Sequence, residues 1–285
     1  MKLLVTGAAG QLGAVIVRRF RAAGHDVVTS TLDDLDLTVH ADVVARVRDV
    51  APHVIVNCAA YNDVDGAEGD YVTALDVNAF AVRSLARASA DTGATLVHYG
   101  TDFVFAGLEP KVHTEDDRPG PLSVYATSKL LGEWFAADAP RHYVLRVESL
   151  FGGPEARSSI DRIIDALEGG RDARVFVDRI VSPSYVEDVA WATELLLDLG
   201  APSGLYHCVN TGHATWAEVG EEIARQAQVP EPGLVPVKVA DVPMRARRPQ
   251  FAALSNDKLR AAGVEMPTWQ DAVARYMAVR RSRRG

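Results

Sequence analysis

Lys2-Leu-Leu-Val-Thr6 followed at once by Gly7-Ala-Ala-Gly10-Gln-Leu-Gly13 decides the fold of this chain. The apolar run Leu3–Val5 reads as a buried strand. Three glycines spaced G-x-x-G-x-x-G come next, and a helical pattern over 11–23, ended by Gly24, opens from them. Each glycine has a physical task. Gly7 allows the tight turn, Gly10 lets the backbone approach a pyrophosphate, and Gly13 lets the helix pack closely on the strand. Gln11 and Leu12 complete the turn, and the helix N-terminus favours an anion there.

Outward from this unit the chain alternates short β-rich runs with longer helical patterns. Strands are expected over 26–30, 52–57, 94–99 and 142–147, and helices over 40–50, 71–91 and 122–137. The strands are near-continuous apolar runs, as strands covered on both faces should be. Strands alternating with helices imply right-handed βαβ units, so the fold class is α/β, a Rossmann-type doubly wound parallel sheet. After about residue 150 the rhythm changes. Gly152-Gly153-Pro154 breaks the chain, helices are expected over 158–168 and 186–199 with a short strand over 174–177 between them, and segments 204–209, 215–228 and 255–262 alternate with Pro-rich loops. Residues 1–150 are therefore expected as the dinucleotide-binding domain. Residues 151–285 are expected as a smaller substrate-binding α/β region interleaved with it.

The bulk composition sets limits. The chain has 285 residues, 48% hydrophobic and 24% charged, with a net charge of −8. This is globular composition, and an acidic surface argues against nucleic-acid or membrane partners. Cys58 and Cys208 read as buried, unpaired thiols of a reducing compartment, so a cytoplasmic location is expected. The eight histidines form no H-E-x-x-H or Cys/His cluster, so no metal is expected. Trp191, Trp216 and Trp269 fall at helical positions and read as core or interface residues. The basic tail Arg280-Arg-Ser-Arg-Arg284 reads as a solvated or frayed end.

Tyr125 and Lys129 stand four apart at the start of a helix, so phenol and ammonium share one face. Reducing a ketone by hydride leaves an oxygen in need of a proton. A tyrosine can give it if a nearby cation lowers its pKa. Thr101, at the end of a strand, is placed to hydrogen-bond the same oxygen. The cofactor's second phosphate is read from the end of the second strand, Val27-Val-Thr-Ser-Thr31, which carries no acid. NADP(H) is therefore preferred and NAD(H) is the alternative, with Arg18 or Arg19 as the cation to reach a 2′-phosphate. Asp36 and Leu37 are placed for the adenine end, or Asp36 is an ordinary loop residue.

These motifs resemble the extended short-chain dehydrogenase/reductase family, and within it the branch of the dTDP-4-dehydrorhamnose reductases. The similarity runs over nearly the whole chain. Its residues are Gly7–Gly13; Asn57–Tyr61 with Val64, Asp65 and Glu68; Asp76-Val-Asn78; Thr101–Phe105; Tyr125, Lys129 and Glu133; Arg146; Ser182–Tyr185 with Asp188; Gly204–His207; and Arg248-Pro249 with Leu254–Asn256. The resemblance implies Tyr125 as proton donor, Lys129 as its cation and ribose anchor, and Thr101 as carbonyl hydrogen-bond donor. It implies Cys58, Ala59, Ala60, Tyr61 and Gly100 along the cofactor and Asn78 as a support. Val64, Asp102, Phe103, Ser149 and Arg248 would face a nucleotide-sugar substrate, and a homodimer is implied. Phe103 stands where the reductases usually have tyrosine, and Ser149 where they have tryptophan.

The same scaffold hosts other reactions. Dehydratases carry an acid where this chain has Phe103, which cannot act as acid or base. Epimerases need a larger substrate region. A non-catalytic NADP-binding regulatory subunit is the alternative outside enzymology. Arg245, Arg247 and Arg248 cluster in a Pro-bounded loop. They read either as a clamp on the substrate diphosphate or as surface residues paired with nearby acids.

Overall fold

The computed structural model describes residues 1–155 and 157–284, and of Arg284 the backbone alone. The first half is β1 (Lys2–Thr6), α1 (Gln11–Ala22), β2 (Asp26–Ser30), α2 (His40–Val50), β3 (Val54–Asn57), α3 (Tyr71–Leu75), α4 (Ala81–Thr92), β4 (Thr95–Thr101), α5 (Val124–Ala137) and β5 (His142–Val147). The second half continues with β6 (Leu150–Phe151), α6 (Ser159–Glu168), β7 (Ala173–Phe176), β8 (Ile180–Val181), β9 (Ser184–Tyr185), α7 (Val186–Asp198) and β10 (Gly204–His207). It ends with β11 (Ala214–Thr215), α8 (Trp216–Ala227), β12 (Leu234–Val237), α9 (Asp257–Ala261) and α10 (Trp269–Arg284).

Six parallel strands form the central sheet in the order β2-β1-β3-β4-β5-β10. Side chains alternate across it. Leu3 and Val5 enter one core with Ile16, Phe20 and Val189, while Leu4 enters the other with Ile55, Val47 and Leu85. One face is covered by α1 and α7, which pack on each other, and the opposite face by α2, α4 and α5. Because β2 and β3 flank β1 on opposite sides, the strand order reverses there. A crevice opens beyond the carboxyl ends of β1 and β3.

The second half is woven into the first. Strand β10 extends the central sheet beside β5, with Gly204 opposite Tyr143. Short pairs β6–β9, β7–β12 and β8–β11 build the remaining layer beyond the strand ends. No helix among the described residues is long and apolar enough to cross a membrane.

Two segments differ from the sequence expectation. The helix expected over 71–91 is interrupted by a wide π-helical turn, Asp76–Phe80, between α3 and α4. Gly132 of α5 packs there in backbone contact, since a Cβ on it would lie 2.1 Å from the Asn78 carbonyl oxygen. A wide turn in a helix often marks a functional site. The basic tail is helical rather than frayed; Arg281, Ser282 and Arg283 are solvent-exposed, as expected, and Arg280 is not. It forms the end of α10, whose buried face carries Val273, Tyr276, Met277 and Arg280 at i, i+3, i+4 and i+7. Arg280 is 8% exposed and pairs with Asp161 and Asp165 of α6. Arg283 donates to the Gly153 carbonyl at 3.3 Å. The Arg284 side chain and Gly285 lie outside the described residues.

Candidate active site

The glycine turn closes against the end of β3. Gly7 has φ +63°, and a Cβ on it would lie 2.6 Å from the Ala59 nitrogen. A Cβ on Gly13 would lie 2.2 Å from the Gly7 carbonyl oxygen, so α1 starts in backbone contact with the turn. A cavity of about 620 Å³ runs from this turn past the end of β2, lined by Gly7, Gly10, Ser30, Leu37 and Ala59 to Tyr61. The Ser30 hydroxyl is buried on its wall and has no hydrogen-bond partner. A cradle without Cβ atoms, an uncapped helix N-terminus and an orphaned hydroxyl fit the phosphates and ribose of a dinucleotide.

The charged residues expected at the far end behave differently. Arg18 and Arg19 point away from the cavity to α7, where they pair with Glu187 and Glu194. Residues at these positions on α1 face the neighbouring helix, not the end of β2. Asp36 and Leu37 line the cavity. The Asp36 carboxylate accepts from the Thr38 backbone at 2.9 Å and its hydroxyl at 2.7 Å, and these bonds lower its pKa.

A second cavity of about 360 Å³ shares Gly10 and Cys58 to Ala60 with the first. Gln11, Leu12, Val64, Gly100, Thr101, Asp102, Phe103, Tyr125, Lys129 and Ser149 all line it. Gln11 donates to the Gly152 carbonyl at 3.0 Å and closes the floor. Ser123 caps α5, accepting from the Ala126 N–H, and so sets Tyr125 and Lys129 on its first turns. The Phe103 ring meets the Tyr125 ring edge-on, centroids 5.6 Å apart. Ser149 adopts φ +46°, which turns the chain back toward the cavity. Cys58 is half-buried and Cys208 buried, and both thiols are free. Asn78 does not line either cavity. From the π-turn it accepts from the Tyr61 N–H at 2.9 Å and donates to the Tyr61 carbonyl and the Ser128 hydroxyl. It thus pins the cofactor loop to α5, one residue from Lys129.

Burial dominates the electrostatics. Lys129 donates to the Tyr99 carbonyl at 2.6 Å. Burial brings its pKa down to about 8, with Glu133 and Cys58 opposing. Tyr125 is pushed above its ordinary value, by burial first and then by Asp102, while Thr101 acts the other way. The expected depression of the Tyr125 pKa by Lys129 is not met, because the ammonium is turned to a backbone carbonyl. Thr101 donates its hydroxyl to Asp102 at 3.0 Å and accepts from the Phe103 N–H at 3.3 Å. One turn beyond Lys129, Glu133 holds Arg146 of β5 through bonds of 2.8, 3.1 and 3.1 Å. Gly100 leaves room for that pair, since a Cβ there would lie 2.2 Å from the Glu133 carboxylate.

Arg248 is engaged by an acid. It meets Asp65 through two bonds of 2.8 and 3.1 Å, and this pairing holds the Asp65 carboxyl down at about 2. Three arginines absent from the sequence reading, Arg162, Arg174 and Arg179, instead line a separate cavity of about 390 Å³ with Phe176 and Trp216. Arg179 connects the two regions, its guanidinium 5.7 Å from the Phe103 ring centroid. Glu148, whose charge acts on Arg179, has no sequence signal either. Neither residue belongs to a motif, and only folding brings them to Asp102. Among the described residues no cluster of potential metal ligands occurs.

The family profile described as the RmlD substrate binding domain matches residues 1–282. A dTDP-4-dehydrorhamnose reductase of Sinorhizobium fredii is 32% identical over 97% of this chain and 97% of its own. A probable dTDP-4,6-dihydroxy-2-methyloxan-3-one 4-ketoreductase of Streptomyces antibioticus is 34% identical, over 96% and 93%. The crystal structure of dTDP-4-dehydrorhamnose reductase from Bacillus anthracis, in complex with NADP, superposes with a TM-score of 0.92 at 31% identity, covering 98% and 99%. With the glycine cradle and the Thr101, Tyr125 and Lys129 cluster in one cleft, the chain belongs to the RmlD substrate binding domain family of extended short-chain dehydrogenases/reductases.

Proposed function

We propose that this chain reduces the 4-keto group of a nucleotide-linked 4-keto-6-deoxysugar, with NADPH preferred and NADH as the alternative. The observation that carries this reading is the meeting of Thr101, Tyr125 and Lys129 in a cavity continuous with the dinucleotide cradle. A bound nicotinamide supplies the hydride. Tyr125 gives the proton to the new alkoxide, Lys129 anchors the ribose and, once turned from the Tyr99 carbonyl, would offset the phenolate left behind, and Thr101 turns its hydroxyl to the same oxygen. The names of the relatives and the bound NADP of the Bacillus anthracis enzyme support substrate and cofactor. Arg46 of α2, 3.5 Å from the Thr29 carbonyl, brings a cation to the end of β2 in place of Arg18 and Arg19.

The nucleotide would lie in the cavity of Arg162, Arg174 and Arg179, where Phe176 and Trp216 offer aromatic faces to a base. Val64, Asp102, Phe103 and Ser149 would then face the sugar, and Arg248 would act through the loop that Asp65 holds. On this reading residues 151–285 supply most of the substrate side. The protein works in the cytoplasm, and exposed Tyr71, Val72, Phe80 and Trp134 on α3 to α5 offer a face for a homodimer.

The test follows the absorbance of reduced nicotinamide with freshly generated dTDP-4-keto-6-deoxyglucose. Wild type should turn over, and Tyr125→Phe should lose about 10²–10⁴-fold in kcat. No turnover with either cofactor, or full activity in the variant, overturns the reading. Tight cofactor binding without turnover would favour a regulatory subunit.

A further inference from the structure

Beside Asp102 and Arg179, which the proposed reaction places on the substrate side, lies a buried carboxyl that it does not use, Glu148. Asp102 follows Thr101 at the end of β4 and is 2% exposed. Its Oδ1 accepts the Thr101 hydroxyl at 3.0 Å, and its Oδ2 has no partner. Glu148 follows β5 and is 1% exposed. Its Oε2 accepts the Ser182 N–H at 2.7 Å, and its Oε1 has no partner. Arg179, on the loop between β7 and β8, faces both carboxyls with an unpartnered Nε. The charge of Arg248 also acts on Arg179, and that of Asp102 acts on Tyr125 of α5.

The charges do not balance as written. Arg248 is paired with Asp65, so two ionised carboxylates, each almost wholly buried, against one guanidinium leave a net negative charge that the low dielectric opposes strongly. One added proton cures this and also the hydrogen-bond deficit. Each carboxyl has one orphaned oxygen, so no donor around either one stabilises a second negative charge, and a proton on one of them removes that deficit. We infer that Glu148 stores one proton against Asp102, acting as a positioning residue that keeps the floor beneath Thr101 and Tyr125 electrically neutral.

The site's electrostatics place the proton on Glu148. Burial and then Asp102 raise the Glu148 carboxyl well above the carboxylate range. Asp102 is raised by burial too, but Arg179 and the hydroxyl that Thr101 donates to it counter that rise, whereas Glu148 accepts only the Ser182 N–H beside its own share of Arg179. The consequence concerns Tyr125 and rests on the proposed reductase reading. When the Tyr125 O–H bond breaks and the proton passes to the substrate oxygen, a phenolate remains. With Glu148 protonated it faces one carboxylate; with Glu148 ionised it would face two, and proton donation would be opposed further.

The test is infrared spectroscopy of the resting full-length enzyme, with no sugar present. A protonated carboxylic acid has a carbonyl stretch well separated from that of a carboxylate, and the band shifts in deuterated water. Wild type should show this band at neutral pH and Glu148→Gln should lose it. Asp102→Asn should move its titration to lower pH, by removing the repelling charge. No difference between wild type and Glu148→Gln, or a titration unmoved in Asp102→Asn, overturns the inference. In turnover, the fall in kcat that accompanies loss of the band should be present in wild type and missing in Glu148→Gln. A normal band without turnover would refute the reductase reading and leave the stored proton standing. Turnover without the band would do the reverse.

Discussion

Glu133→Gln tests what holds the catalytic helix to the sheet. Glu133 and Arg146 are buried partners, joining α5 to β5 through three hydrogen bonds. The amide leaves the guanidinium charged and buried without its paired carboxylate, beside the Phe105 ring at 4.9 Å and the His207 Nε2 at 3.4 Å, with Glu115 as a more distant acid. Breaking one side of such a pair costs about 3–5 kcal/mol. Unfolding entropy of about 2.1 cal/mol/K per residue gives roughly 0.6 kcal/mol/K for a chain of this length. The melting temperature should therefore fall by about 5–8 °C, read by scanning calorimetry on the apo-protein. The double variant Glu133→Leu/Arg146→Met removes both charges and should recover most of the loss, because no stranded charge remains. A single variant within about 1 °C of wild type would refute the argument. So would a double variant as unstable as the single. A second readout follows from Lys129, whose pKa Glu133 supports. In Glu133→Gln that pKa should fall further below about 8, which amine-selective labelling against pH would report.

Two further outcomes are expected. Gly7→Ala places a methyl 2.6 Å from the Ala59 nitrogen at φ +63°, so dinucleotide affinity measured by fluorescence titration should drop by at least tenfold, about 1.4 kcal/mol or more; retained affinity would show that the turn does not cradle the ligand. The Lys129 ammonium is half lost near pH 8, so cofactor affinity and kcat should both decline as pH rises through that value. The stability sign is opposite. Between about pH 8 and the ordinary lysine value the unfolded chain binds more protons, so this group makes stability rise with pH. A kcat profile flat through pH 8 would count against the anchoring role of Lys129.

Local features were legible before the fold was known. The strands Lys2–Thr6, Asp26–Ser30 and His142–Val147, the helix His40–Val50, the glycine turn and the pairing of Tyr125 with Lys129 all follow from neighbours along the chain. Apolar periodicity, the absence of a Cβ and the i, i+4 spacing act over a few residues, so the sequence alone determines them. Pairing across the fold does not work that way. Arg18 meets Glu187 across 169 positions, and Arg280 meets Asp161 across 119. The side chains that now matter most around Tyr125, namely Asp102, Glu148 and Arg179, come from three separate strand ends. Whether a charge is solvated, paired or protonated depends on which elements bury it. That burial, and the entry of Gly204–His207 into the first sheet, is what only the tertiary structure decided.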